Sequence, residues 1–222
     1  LERWGKTILV RPDPQVIWKT GESSPLWKSA NAVYHRSASG GGQWEYRRRM
    51  PEKWQITYGD ICMVVSPTGF KHTGVFPEQA VNWDAYARLI AAAERPIRVL
   101  NLFGYTGAKF VAREIRRGVR YDGIIMDPPS YGRGPGGEVW KLEDSIYDFI
   151  DLCAGVLSDE PLFVAVNSYT TGLSPSVMEY MLRARVCPRW GGHTACDEIG
   201  LPVTATGGVV PCGATAWWLA RN

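Results

Sequence analysis

The chain has little of what metal centres and disulfide scaffolds need. It carries three histidines, His35, His72 and His193, and none stand at metal-ligand spacing. Its five cysteines, Cys62, Cys153, Cys187, Cys196 and Cys212, are odd in number and scattered, and they form no CxxC. That usage argues against a disulfide framework and a cysteine–zinc site; it predicts a reducing, cytoplasmic setting and no bound metal. No apolar run approaches the roughly 18 residues of a membrane span. The opening Leu1-Glu2-Arg3-Trp4 has no leader pattern, so no membrane partner is expected. No Ser-His-Asp order stands out. Charge of one sign is also scarce: 25 Lys and Arg against 22 Asp and Glu leave +3, which permits a nucleic-acid partner without demanding one. What the chain does have is tryptophan, ten of them in 222 residues. Such an aromatic surplus suits a β-rich core or a surface that stacks bases.

Residues 1–67 read as an N-terminal antiparallel β subdomain. Thr7–Val10 is an apolar run ended by Pro12-Asp13-Pro14, and Asn31–Arg36 is a second candidate strand. Gln43–Tyr46 and Trp54–Tyr58 alternate at period two, and Tyr58-Gly59-Asp60 predicts a hairpin turn into Ile61–Val65. From residue 68 to 222 the pattern is different. Ala80, Trp83, Ala87, Ile90 and Ala93 mark one face of a helix over 78–94. Ile97–Phe103 is an apolar strand running into Gly104-Tyr105-Thr106-Gly107, and a helix from Lys109 to Arg117 ends at Gly118. Tyr121–Met126 is a buried-type strand that stops at Asp127-Pro128-Pro129. An amphipathic helix over 141–157, a strand at Leu162–Val166, a helix opened by Ser174-Pro175, and a closing hairpin of Leu201–Thr206 with Gly213–Ala220 follow. Strands alternating with helices predict an α/β fold, a Rossmann-like parallel sheet with a C-terminal antiparallel hairpin.

Ligands of such sheets sit beyond the carboxyl ends of strands, and two strand ends here carry unusual residues. In Phe103-Gly104-Tyr105-Thr106-Gly107, glycines after a buried strand let the backbone approach a ligand; an ordinary strand-to-helix turn would look the same. In Asp127-Pro128-Pro129-Ser130-Tyr131, two prolines remove two donors and leave carbonyls free to accept from a planar amine, with an aspartate and an aromatic beside them. The plain alternative is a rigid capped turn. Lys71-His72-Thr73-Gly74 and Gln79-Ala80-Val81-Asn82 gather polar side chains before a helix, and Arg47-Arg48-Arg49 with Arg113, Arg116, Arg117 and Arg120 form basic clusters. Solvation explains most such clusters; phosphate contact is the functional alternative.

As a set these residues resemble a known family. Val99–Gly107 resembles motif I, and Asp127–Tyr131 motif IV, of class I S-adenosylmethionine (SAM)-dependent methyltransferases. Lys71–Gln79 resembles the KTG…DQ element of the large-subunit ribosomal RNA methyltransferases, a group of cytosine-C5 and guanine-N7 enzymes. The stretches GFKHTGVFPEQAVNW, DPPSYGRGP and NSYTTGLSP resemble a bacterial methyltransferase family related to that group. The likeness covers nearly the whole chain.

The resemblance implies SAM as cofactor, with Thr73, Gly74 and Gln79 at its methionine end and Asn101, Phe103, Tyr105, Thr106 and Gly107 as the main cradle. Asp127, Pro128 and Pro129 would stand where methyl donor meets acceptor, with Tyr131 as a stacking wall. The implied partner is RNA, ribosomal RNA in particular, and a base in a duplex would first be flipped out. Two departures shape this expectation. Cytosine-C5 enzymes of the group carry a cysteine nucleophile after the strand that follows motif IV; here the stretch reads Val166-Asn167-Ser168-Tyr169. Methylation of a base nitrogen is therefore expected rather than of cytosine C5. Second, the family fold needs two more strand–helix units, roughly 30 residues each, between Ala108 and Lys109. They hold the acid that binds the ribose and the loop that holds the adenine. A missing segment is thus implied at that join. The other readings are an inactive, methyltransferase-derived RNA-binding module and a methyltransferase acting on protein or a small molecule.

Overall fold

A computed structural model describes residues 1–19, 24–38, 41–102, 104–134 and 137–221, and of Gly104, Tyr105 and Thr106 the backbone. They form two compact units, Leu1–Pro77 and Glu78–Asn222. The sequence reading set the boundary at residue 67. The stretch beyond it is tied into the first unit: Ser66 donates to Thr73 O at 3.1 Å, Trp44 Nε1 donates to Thr68 O at 2.9 Å, and Val75 packs on that unit's core.

The first unit holds β1 (Glu2–Trp4), β2 (Thr7–Val10), β3 (Ala32–Arg36), β4 (Gly42–Tyr46), β5 (Trp54–Tyr58) and β6 (Ile61–Val65). Four of them form a sheet in the order β1-β2-β3-β4, and β5 pairs with β6. The two-residue turn between β5 and β6 uses Gly59 at φ 52°, as the hairpin signal predicts. The all-antiparallel expectation is corrected at one place. Strands β2 and β3 run parallel, with Leu9 beside Ala32, because the long connection from 11 to 31 returns the chain to its starting end. Strand β1 had too short a pattern to be read. Trp4, Leu9, Ala32 and Val65 form the core.

The second unit opens with a 3₁₀ turn at Pro77–Gln79 and α1 (Ala80–Ala92). Then come β7 (Val99–Leu102), α2 (Gly104–Arg117), β8 (Gly123–Met126), β9 (Tyr131–Arg133), β10 (Val139–Lys141), α3 (Leu142–Ala154), β11 (Phe163–Ser168), α4 (Pro175–Arg185), α5 (Cys187–Trp190), β12 (His193–Val203) and β13 (Gly208–Leu219). The main sheet has the order β12-β13-β11-β8-β7; β7, β8 and β11 are parallel, and the two last strands are antiparallel. This is the Rossmann-like sheet with a C-terminal hairpin that the alternation predicts. The hairpin's first strand was misplaced: it is His193–Val203, and Leu201–Thr206 runs into the turn. Its polar-rich outer positions hid the period.

All six residues of β11 are buried, as a central parallel strand requires. Helix α3 lays Leu142, Ile146, Phe149, Ile150 and Cys153 into the core, and α4 adds Met178, Met181 and Leu182. At about 1.5–3 kcal/mol per large buried side chain, these two faces are the main apolar support under the sheet. Helix α2 closes in a Schellman motif: Gly118 at φ 68°, its N–H on Ile115 O and the N–H of Val119 on Glu114 O. The helix begins at Gly104, five residues before the expected start, and passes Ala108 and Lys109 without a break. A single crossover helix thus joins β7 to β8, and β7 is the last strand of the sheet. Among the described residues no helix is long and apolar enough to cross a membrane.

Candidate active site

Strand β8 delivers Met126 into the core and then stops at Asp127, because Pro128 and Pro129 cannot continue the ladder. The N–H of Asp127 is spent on Leu102 O at 3.0 Å, which pins the corner to the end of β7. The corner is braced on two further sides. Trp140 on β10, buried edge-on against Phe149, donates Nε1 to Pro129 O at 2.6 Å. Ser130 and Thr170 share a hydroxyl–hydroxyl bond of 2.6 Å, which clasps the corner to the loop after β11. Pro128 is buried, while Pro129 and Ser130 are exposed.

Against this bracing, the Asp127 carboxylate has no hydrogen-bond partner among the described residues. Burial alone pushes it above the ordinary carboxylate range. Among the described residues nothing compensates its charge, so it is a free acceptor there, held on a rigid frame. Trp140 engages the Pro129 carbonyl, while that carboxylate and the Pro128 carbonyl accept no hydrogen bond among the described residues.

A buried polar cluster stands behind the corner. Gln79 donates Nε2 to the Tyr169 hydroxyl at 2.7 Å, and Asn82, Asn167 and Thr215 complete a network around the Gln79 amide oxygen. Burial raises the Tyr169 phenol well above the usual tyrosine range, and the carboxylates of Glu78 and Asp127 add to the shift while Gln79 opposes it. Tyr86 on α1 is pushed up to about 12, first by burial, against a smaller pull from Asn167 and with Asp127 adding to the rise. Its hydroxyl is buried without a partner of hydrogen-bonding geometry. No cation takes part in either balance. The strand ends are thus lined by acceptors and neutral hydroxyls, a surround that suits a positively charged or donor-rich ligand.

The structure brings some of the expected residues together and separates others. Asp127, Pro128, Pro129 and Tyr131 share the corner after β8, with Tyr131 half exposed at the start of the β9–β10 hairpin. Gln79 belongs to the buried cluster. Asn101 is exposed on β7, level with Ile125 of β8. Gly104, Tyr105, Thr106 and Gly107 are not a loop, as the cradle reading expects, but the first turn of α2, where backbone N–H groups have no intrahelical acceptor. Gly107 has a packing reason of its own: a Cβ there would stand 3.1 Å from Phe149 Cζ. Phe103 lies outside the described residues. Thr73 and Gly74 belong to the first unit; Gly74 has φ 90°, and the buried Thr73 Oγ1 lacks a partner.

Several site residues were not singled out from the sequence. Asn167 and Thr215 interrupt otherwise apolar buried strands, and a polar side chain inside such a run was the available signal. Trp140 and Tyr86 gave none.

Comparison with solved structures decides the fold. A SAM-dependent methyltransferase from Agrobacterium tumefaciens superimposes with a TM-score of 0.85 at 28% identity, over 96% of this chain and 84% of that one. The chain has a methyltransferase fold. A protein from Streptococcus mutans assigned to the SAM-dependent methyltransferases matches at TM-score 0.61, and a methyltransferase complexed with S-adenosylhomocysteine (SAH) at 0.59, each at 16% identity. Each match covers 87% of this chain, which spans 62% and 63% of their respective lengths. No protein-family model matches the chain, and no curated protein does. The methyltransferase fold places the carboxyl ends of β7, β8 and β11, where the acceptor-lined corner stands, at the position such sheets use for ligands.

Two features test the fit of SAM to this fold. The methionine end fits: the Tyr86 hydroxyl is buried without a partner of hydrogen-bonding geometry, and Asp127 is a free acceptor among the described residues. The ribose and adenine end has less. With β7 last in the sheet, no next strand among the described residues supplies an acid for the ribose hydroxyls.

Proposed function

We propose that the protein is a cytoplasmic SAM-dependent methyltransferase that methylates a nitrogen of an RNA base, ribosomal RNA being the substrate the sequence resemblance favours. One observation carries the reading: Asp127, partly buried at the carboxyl end of β8, is an acceptor without a hydrogen-bond partner among the described residues, held on a braced frame.

Bound SAM would supply a methyl group on a positively charged sulfur. The first turn of α2, with its unsatisfied backbone N–H groups, would hold it. The chain's own residues do the rest by placement. Asp127 and the Pro128 carbonyl accept N–H bonds from the substrate nitrogen and so aim its lone pair along the line of transfer. Alignment of that kind is worth up to about 7–11 kcal/mol of barrier. Asp127 would take the proton that the substrate nitrogen gives up as its methyl group arrives from the sulfur; a carboxylate raised by burial is the better acceptor. No covalent nucleophile is required. Ser168 cannot serve as one, being buried with its Oγ accepting from Thr170 N at 3.1 Å. The RNA half of the reading is supported by Tyr131, exposed beside Arg133, whose guanidinium lies 5.9 Å from the ring centre and donates to the phenol at 2.8 Å. An aromatic face with a cation is what an extruded base stacks on.

A second reading has its own support. A methyltransferase-derived RNA-binding module without activity fits the sheet that ends at β7. Two measurements separate them. Calorimetry with SAH should show binding, and mass spectrometry of ribosomal RNA nucleosides should show one methylated base lost when the gene is deleted. No SAH binding and no lost nucleoside would overturn the enzyme in favour of the module. A methylated protein or metabolite instead would move the substrate while keeping the chemistry.

A further inference from the structure

The buried network behind the corner has a fixed direction, and that direction gives Asn82 a task. Asn82 is 1% exposed in the first turn of α1. Its Nδ2 has two hydrogens and three oxygens in reach: Gln79 Oε1 at 2.8 Å, Thr215 Oγ1 at 2.9 Å and Asn167 Oδ1 at 3.1 Å. Thr215 gives its own hydrogen to Asn167 Oδ1 at 2.7 Å, so toward Asn82 it only accepts. Asn82 is therefore a donor on this side, and the Gln79 oxygen is consumed by it. That fixes which way the Gln79 amide points: its Nε2 faces the Tyr169 hydroxyl at 2.7 Å. A phenol that accepts from an amide keeps its own hydrogen to give. The chain of donors runs from Asn82 through Gln79 to Tyr169, and it crosses α1, the turn before it and the loop after β11. The next residue, Thr170, is clasped at 2.6 Å to Ser130 of the corner that carries Asp127.

We propose that Asn82 is a positioning residue for methyl transfer: acting through Gln79, it fixes the Tyr169 hydroxyl and with it the loop that is clasped to the Asp127 corner. This rests on the methyltransferase reading. Asn82 touches neither donor nor acceptor. Its effect is on where the transfer site stands, so it acts on the chemical step more than on binding.

A double-mutant cycle with a second, activity-free readout tests this. Asn82→Ala and Tyr169→Phe should each lower kcat by about 10-fold with the KM for SAM changed by less than about threefold. The double variant should be no slower than the worse single variant by more than about twofold, since both remove one device. Multiplying losses, near 100-fold, would mean that Asn82 acts elsewhere and would overturn the proposal, as would an Asn82→Ala enzyme of full rate. In the protein without cofactor, hydrogen exchange by NMR should find the Gln79 side-chain amide protected at least about 10-fold over an exposed glutamine. Asn82→Ala should remove that protection while the backbone amides of β11 and β13 keep theirs. Protection that survives refutes the proposal; protection lost throughout both strands makes Asn82 merely structural. If Asn82→Ala does not fold, Thr215→Val takes its place in both experiments. Should the wild type neither bind SAH nor transfer a methyl group, the proposed function fails on its own, and retained Gln79 protection in the variant still decides against Asn82.

Discussion

Two aspartates stand at the two ends of one strand and differ in every physical respect. Asp122, just before β8, accepts from Arg98 N at 2.8 Å, from Ser158 Oγ at 2.8 Å and from Arg95 Nη1 at 3.1 Å. Burial pushes its carboxyl up, but these three donors together outweigh burial and hold it below the ordinary range. Asp127, just after β8, has none of this, and burial alone raises it. The amino end of the sheet is thus a closed knot that binds the starts of β7, β8 and β11 together. The carboxyl end is left chemically open. A partly buried carboxylate that folding does not satisfy costs stability, so its persistence is an argument for use.

Removing each carboxylate in turn should separate the ends. The largest effect is expected for Asp127→Ala: a loss of about 100-fold or more in the rate of methyl transfer, close to 3 kcal/mol of transition-state stabilisation. Its melting temperature should stay within a few degrees of the wild type. Full activity, or an unfolded variant, would reduce the corner to a rigid turn. Asp122→Ala should do the reverse. Urea titration is expected to find about 1–3 kcal/mol lost, since three part-buried bonds lose their acceptor, while the folded fraction transfers methyl groups at the normal rate.

The pH response should divide in the same way, with smaller amplitude. The folded protein holds Asp122 below its unfolded pKa, so its contribution is complete above the ordinary carboxylate range and is lost as pH falls through the folded value. Asp127 has the opposite sign. Its folded pKa is raised, so ionising it costs stability as pH rises from the ordinary carboxylate range through the folded value, and Asp127→Asn should melt no lower than wild type at neutral pH. The rate should fall on the acid side with a midpoint above the ordinary carboxylate range, where Asp127 takes up its proton. An acid limb that persists in Asp127→Asn would assign it to another group.

How much of this was legible in the sequence follows from range. The alternation of β7, α2, β8, α3 and β11 is local, and so was readable. So was the corner, because Asp127-Pro128-Pro129 is costly to place at a strand end without a reason. The clasp of Ser130 on Thr170, the Trp140 bond to Pro129 and the Asn82 bond to Thr215 span 40, 11 and 133 residues, contacts that no period records. The start of α2 was missed because glycines at 104 and 107 look like loop. Gly107 is small for the sake of Phe149, a contact set by the packing of two helices.

The smallest effect is expected at Ser168, and it bears on the carboxyl end alone. This residue occupies the place where cytosine-C5 enzymes of the resembling group carry their nucleophile. It is 3% exposed, the last residue of a wholly buried strand, and its Oγ accepts the Thr170 N–H at 3.1 Å. That bond shapes the loop whose Thr170 clasps Ser130, so the hydroxyl has a structural task and no path to a substrate ring. Ser168→Ala should cost about 1 kcal/mol of stability, the usual worth of one such bond. The rate should stay within about threefold, because the loop is also held by the Tyr169–Gln79 bond. RNA containing 5-fluorocytosine should give no covalent adduct with either protein. A SAM-dependent adduct with the wild type that disappears in Ser168→Ala would make this hydroxyl a nucleophile. It would replace Asp127 as the centre of the chemistry and turn the open end of the sheet into a covalent site.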